Sequence, residues 1–412
     1  MRIFFIIFIL VQLTSCSKSS EDNAYIKLNR LIQTNSIVLN TKKISAEDTI
    51  IDVVLPSLSE NGPNFEVATK NNFTFTRQSL KEKPTSEAIV INGNLYFLEE
   101  SGNLVARKLK DLSLIWETNI DHVKNHNCAY GSITYKDEVL YVTYGDSYLV
   151  AINARNGYEL YRKKFDTMIL GNPTIQENKI YIQTISDSLY VINSLDGKVL
   201  WSFPRLNDSS FVSTKMAPVV IKNHLVLLSV EGAFYIFNKN TGIYEAIIDP
   251  RDMDEVMANK NPTKAVVNED NNFYVALNND EIVLFKTPNG SIVWKKHMPN
   301  VQQMSLMGNI LFVVTNGHQL IALDKSTSNT LWVNDIGINA RLNERKATSF
   351  IKPIFFNNTI FLAINKYLFQ VDAVSGKLLK RANISRLEKP ISAHVFDKKL
   401  YLVTTRHLYT IK

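Results

Sequence analysis

The segment KIYIQTISDSLYVINSLDGKVLW, residues 179 to 201, is one statement of a phrase that recurs along the chain. A recurring phrase of this size restricts the fold more than any other property of the sequence. Ile180, Ile182 and Thr184 alternate, and Leu189, Val191 and Ile192 resume after the polar Ser186-Asp187-Ser188 turn. Asp196-Gly197 then makes a second tight turn before a third strand that closes on Trp201. Period-two alternation broken by turn residues is the pattern of antiparallel hairpins, and Gly takes the positive φ of a tight turn without a Cβ penalty.

The hairpin opens again at Leu95-Tyr96, Leu140-Tyr141, Ile180-Tyr181, Leu225-Val226, Phe273-Tyr274, Leu311-Phe312, Ile360-Phe361 and Leu400-Tyr401, eight copies in all. Intervals of roughly 38 to 49 residues fit four-stranded propeller blades, whereas leucine-rich and ankyrin periods are shorter. Within the copies the register is tighter. Tyr96 to Trp116, Tyr141 to Tyr161, Tyr181 to Trp201, Val226 to Ala246, Tyr274 to Trp294 and Phe312 to Trp332 all keep the same spacing, so the variable part lies between blades.

All 4 Trp of the chain, Trp116, Trp201, Trp294 and Trp332, fall at this one position. Leu112, Gly197, Gly290 and Ser328 stand four residues before them. Gly157, Gly242 and Gly376 mark the same turn where Tyr161, Ala246 and Lys380 replace the Trp. A large ring repeated on an outer strand buries ~150–250 Å² and fixes how neighbouring sheets dock, so these tryptophans are expected to pack blades rather than cage a ligand.

A first strand precedes each hairpin, as in Ala217 to Val220, Lys352 to Phe355 and Ile391 to His394, with proline at the strand start where it is tolerated. The last copy has only Leu400 to Thr404 and His407 to Ile411 after its first strand, so one outer strand is missing. Asn72 to Arg77 alternates correctly just before the first blade and is the natural donor. The expected fold is therefore all-β: an eight-bladed β-propeller of four-stranded antiparallel blades, closed by an N-terminal strand so that only short edges remain.

The N-terminus sets the compartment. Met1-Arg2 leads into an apolar run from Ile3 to Val11, followed by Leu13-Thr14-Ser15-Cys16. The run is too short to span a bilayer and reads as a secretion signal. Small residues before Cys16 match the bacterial lipobox, in which the thiol is acylated and becomes the new N-terminus. Ser17 rather than Asp follows, which does not indicate retention at the inner membrane. Cys128, the other of the 2 Cys, is left without an intramolecular partner, so no disulfide framework is expected. The domain reading is a signal peptide at 1–15, a lipidated N-terminus and tether at 16–63, and the propeller at 64–412.

Net charge is +7 with no five-residue basic run, which argues against nucleic acid as a partner. Asp121, His122, His126 and Cys128 have metal-ligand residue types, but they fall in an interblade loop without helical spacing, so no metal site is expected. No phosphate loop, nucleophile elbow or HExxH motif is present, and no catalytic residue or cofactor is expected.

LYVINSLDGKVLW resembles the repeat of pyrroloquinoline-quinone-type propellers, and LIALDKSTSNTLW and LFQVDAVSGKLL restate it. Eight such blades behind a lipobox resemble the BamB family of lipoproteins of the outer-membrane β-barrel assembly machinery. VVLPSLSENGPNF is similar to the lead-in of its alphaproteobacterial members. The resemblance implies a non-enzymatic scaffold at the periplasmic side of the outer membrane. In that family loops on one face of the propeller dock on the periplasmic domains of the barrel-inserting subunit BamA, alongside other assembly subunits and unfolded outer-membrane proteins. A quinone-dependent dehydrogenase on the same ring would need an adjacent Cys pair, which Cys16 and Cys128 cannot supply.

Two interblade loops have interface character. Residues 205 to 216 carry Phe211 and Val212 beside Arg205 and Lys215, and residues 249 to 262 carry Asp252, Asp254 and Glu255. An apolar centre rimmed by charges of both signs is the composition of a partner-binding patch.

Overall fold

A computed structural model describes residue 73 and residues 75–411, apart from 121–130, 205–216, 250–261, 337–349, 385–389 and shorter loop gaps. Its strands form eight four-stranded sheets, every ladder antiparallel. Seven sheets are continuous in sequence: blade 1 at 89–119, blade 2 at 132–164, blade 3 at 169–203, blade 4 at 219–248, blade 5 at 262–297, blade 6 at 301–335 and blade 7 at 350–383. Blade 8 takes three strands from 390–411 and its outer strand, Phe75–Ser79, from the other end of the chain. That strand pairs from Phe75 opposite Ile411 to Ser79 opposite His407. The donor therefore starts three residues later than the alternation of Asn72 to Arg77 suggests.

No single core fills the ring. Instead, each blade shares one apolar cluster with the blade before it and another with the blade after it. Tyr96 and Leu98 of blade 1 pack on Ile133 and Val142 of blade 2, while Leu95 and Phe97 of blade 1 pack on Tyr401 and Val403 of blade 8. Period two thus divides each strand between two seams. Successive seams hold Tyr141 with Ile180, Tyr181 with Leu225, Phe234 with Phe285, Leu284 with Leu311, Phe312 with Ile360, and Phe361 with Leu402. The seam between blades 8 and 1 closes the circle.

Because both faces of a blade are covered, its second and third strands are buried on both sides. Asn94–Leu98 and Asn103–Lys108 are buried over most of their length, and Tyr181 and Gln183 are as buried as Ile180 and Ile182. The outer strands meet water over much of their length, as in Leu114–Asn119. The innermost strands tolerate irregularity. Pro173 sits inside Ile169–Gln176 and Pro353 inside Phe350–Phe356, each at a register shift rather than at the strand start. A proline without an N–H fits a strand only where the ladder is interrupted or faces outward.

Candidate interaction surface

Blade topology gives the ring two unlike faces. Turns between first and second strands, and between third and outer strands, emerge on one side. The loop face opposite carries the connections between blades and the turns between second and third strands. Each feature below belongs to one face or to the seams that fix their relative positions.

The seams are fixed at the turn face by one repeated contact. Four residues before each Trp position the turn residue adopts positive φ: Leu112 58°, Gly157 76°, Gly197 69°, Gly242 72°, Gly290 66°, Ser328 62° and Gly376 71°. The ring of each blade lies on the turn of the next. A Cβ on Gly157 would lie 2.6 Å from the Trp116 ring, one on Gly197 2.7 Å from Tyr161, and one on Gly242 2.7 Å from Trp201. Where the ring is replaced by Ala246, Ile248 reaches Gly290 instead.

Polar groups complete the seam. Trp116 Nε1 donates to Ala154 O at 2.9 Å, Trp294 Nε1 to Lys325 O at 3.1 Å and Trp332 Nε1 to Ala373 O at 3.2 Å. Trp201 Nε1 is buried without such an acceptor. Tyr141 and Tyr161 hydroxyls both donate to Ser194 O, at 3.1 and 2.9 Å, and burial raises both phenols above their usual range. Two residues beyond the ring, a side chain caps the carbonyl of the same turn: half-buried Thr118 Oγ1 on Gly157 O, and buried Lys296 Nζ on Ser328 O and Asn334 Nδ2 on Gly376 O, each at 2.6 Å. Burial lowers the Lys296 ammonium from its ordinary value, because desolvation disfavours the charged form. Lys296 and Asn334 escape a reading based on residue type, because Lys and Asn on an outer strand look solvated. Their fixed offset from Trp294 and Trp332 is the signal that would have found them.

Beneath the loop face, blade 1 holds a buried ion pair, Arg107 Nη2 to Glu99 Oε1 at 3.7 Å. Desolvation raises the Glu99 carboxyl, an effect that the Glu82 charge adds to and Arg107 opposes. Arg107 also donates to Leu112 O at 3.2 Å, which ties this pair to the turn opposite. Among the described residues no group of three His, Cys, Asp or Glu could hold a metal ion.

The interface residues singled out in the sequence, Arg205, Phe211, Val212, Lys215, Asp252, Asp254 and Glu255, lie outside the described residues, as do Cys16, Asp121, His122, His126 and Cys128. The strands that flank both segments end on the loop face. Residues 205–216 join the outer strand Val199–Phe203 to Val219–Ile221, and 250–261 join Tyr244–Ile248 to Pro262–Val267. They enter and leave blade 4, so they are neighbours on the ring.

Comparison with known proteins adds to this geometry. The family model described as outer membrane protein assembly factor BamB matches residues 125–334, just over half of the chain. An uncharacterised protein of Rickettsia conorii is 26% identical over 337 residues, covering 78% of this chain and 80% of its own. The outer membrane protein assembly factor BamB of Shewanella oneidensis is 23% identical over 315 residues, covering 74% and 76%. Among solved structures, BamB from Moraxella catarrhalis superposes with a TM-score of 0.60 at 14% identity, covering 82% of this chain and 97% of that one. The quinohemoprotein alcohol dehydrogenase of Comamonas testosteroni also superposes with a TM-score of 0.60, at 11% identity over 82% and 76%, so the fold by itself is shared with an enzyme. The family match spans the repeats of blades 2 to 6, and on that match the chain belongs to the outer membrane protein assembly factor BamB family.

Proposed function

We propose that the protein is a lipid-anchored, non-enzymatic scaffold of the outer-membrane β-barrel assembly machinery, held to the periplasmic side of the outer membrane through Cys16. In this reading the signal peptide occupies 1–15, the tether 16–63 and the propeller 64–412. The loop face docks on the periplasmic domains of BamA and so helps fold and insert outer-membrane proteins. The observation that carries the reading is the family match across the repeats of the ring. Phe211 and Val212 form the apolar centre, with Arg205, Lys215, Asp252, Asp254 and Glu255 as its charged rim. Rigid sheets beneath loops suit recognition, because loops can vary while the frame holds them in place.

The test is capture of purified BamA periplasmic domains by the chain. Phe211→Ala with Val212→Ala is expected to weaken capture by ~2 kcal/mol or more, as truncation of central interface residues does, without moving the melting temperature. Unchanged capture by this variant and by Asp252→Lys with Asp254→Lys would reject the assigned patch.

The alternative is a quinone-dependent dehydrogenase or a ligand-binding propeller, favoured only by the shared fold of the Comamonas enzyme. An absorbing quinone bound in stoichiometric amount by the purified protein would select it.

A further inference from the structure

The turn face, opposite the loops assigned to the protein partner, carries large apolar side chains at the tips of its turns. Tyr158, Leu195 and Ile243, on the consecutive blades 2, 3 and 4, are 72%, 72% and 63% exposed, and Val374 on blade 7 is 78% exposed. Behind them, at the start of the outer strands, Ile115, Leu160, Leu200, Val293 and Leu331 are exposed as well. Folding does not need these residues there, since the turns close through Asn and Asp side chains. Asn153 accepts from Arg155 N, Asn193 from Leu195 N, Asn238 from Asn240 N and Asp372 from Val374 N.

The same face receives the start of the N-terminal strand. Strand Phe75–Ser79 begins opposite Ile411, the end of a third strand, which is the turn end of every blade. Phe73, buried between blades 7 and 8, continues that path, so the first described residues of the ring lie at this face. Around the tips stand the exposed cations Lys110, Arg155, Lys198, Lys222, Lys377 and Lys398. Of these cations Arg155 and Lys198 are paired with Glu138 and Asp196, while Lys239 holds Glu177, and Asp137 and Asp397 stand exposed at the same turns.

We propose that the turn face rests on an anionic phospholipid surface, with Tyr158, Leu195, Ile243 and Val374 entering the headgroup boundary and the surrounding lysines on the phosphates. The inference rests on the lipid-anchored reading for its direction: Phe75–Ser79, the described strand nearest Cys16 in sequence, starts at the turn face. Tips on separate blades, divided by charged turn residues, lack the contiguous apolar centre of a protein interface. A fluid bilayer meets all of them at once. Single apolar side chains and basic residues each add a small increment of membrane affinity, and together they orient a body whose anchor lies elsewhere.

The chain from residue 17 onward, without acyl groups, is mixed with vesicles of phosphatidylcholine alone and of phosphatidylcholine with phosphatidylglycerol, then floated. It is expected to float with the phosphatidylglycerol vesicles at low salt and to be released by salt, because the electrostatic part is screened. Tyr158→Asp, Leu195→Asp and Ile243→Asp together are expected to reduce flotation about tenfold or more while the near-ultraviolet spectrum stays unchanged. No flotation with either vesicle, equal flotation of the triple variant, or salt-independent dimerisation abolished by it would overturn the proposal, the last assigning the face to a second copy. The scaffold reading fails separately: its readout is BamA capture in solution, which the triple variant is expected to retain.

Discussion

At the scale of single residues the fold depends on a turn that must be left-handed and must also accept a ring. Gly242 has φ +72° and a Cβ there would meet Trp201 at 2.7 Å, whereas Gly308 has φ +55° and nothing within 4 Å. Gly308→Ala is therefore expected to cost only the left-handed penalty of about 1 kcal/mol, and Gly242→Ala that penalty plus displacement of the ring, about 3 kcal/mol in all. Urea midpoints of the two variants check the difference, and equal midpoints would remove the ring contact from the account. Ser328 offers the converse. It holds φ +62° with its Oγ buried and unbonded, while Lys296 binds its backbone carbonyl, which Gly would keep. Ser328→Gly is expected to stabilise by about 1 kcal/mol, measured in the same way.

Among the elements, the inner strand of blade 8, Pro390–Phe396, couples the closing seam to pH. His394 lies there against Ala88 of blade 1, with its Nε2 3.0 Å from Ser392 Oγ, and burial pulls its pKa from 6.5 to about 4. The folded state keeps this imidazole neutral down to about pH 4, while the unfolded chain takes its proton near 6.5. Between those values the unfolded state binds more protons, so stability falls as pH drops through that window, by about 3 kcal/mol at most. His394→Gln is expected to flatten that part of the profile in denaturant titrations at successive pH values; an unchanged slope would place the coupling on other groups. The second and third strands were legible as strands because apolar residues recur in them, but alternation within one repeat does not say whether both faces are covered. Tyr181 and Gln183 are buried because blade 4 covers the face that an isolated hairpin would show to water. Exposure is a property of the neighbouring blade and cannot be read within one repeat. The register of the four tryptophans was legible for the opposite reason, since the contact repeats at a fixed offset in every blade. Blade docking by Lys296 and Asn334 was not, because the chemistry of those side chains points to solvent until their offset from the ring is noticed. The partner loops were legible only as composition, since loop length and sequence carry no repeat to constrain them.

For the whole molecule the decisive question is how the ring closes, because blade 8 is the one sheet assembled from both ends of the chain. The third strand of blade 8 is His407–Ile411, and among the described residues no turn follows it to meet the outer strand of blade 7. Lys380 stands at the Trp position of blade 7, and Phe73 fills the seam in place of a turn, with Lys380 Nζ 5.6 Å from its centroid and Phe361 at 6.2 Å. Phe75 extends the contact to Tyr409 at 6.5 Å, and Phe75–Ser79 pairs the edge that His407–Ile411 would otherwise expose. One short segment therefore both replaces a missing turn and covers an open ladder. Phe73→Ala removes a buried ring and is expected to cost about 3 kcal/mol. Deleting 73–79 removes the outer strand as well, leaving an unpaired edge and a thinner seam between blades 7 and 8, so the cooperative thermal transition is expected to broaden and fall well below that of Phe73→Ala. Deleting 17–60 removes no described contact and is expected to leave the transition in place. The order of the three melting curves is the measurement: a chain lacking 73–79 that melts with the chain lacking 17–60 would mean that the ring is held closed by the seam of blades 8 and 1 without its N-terminal strand.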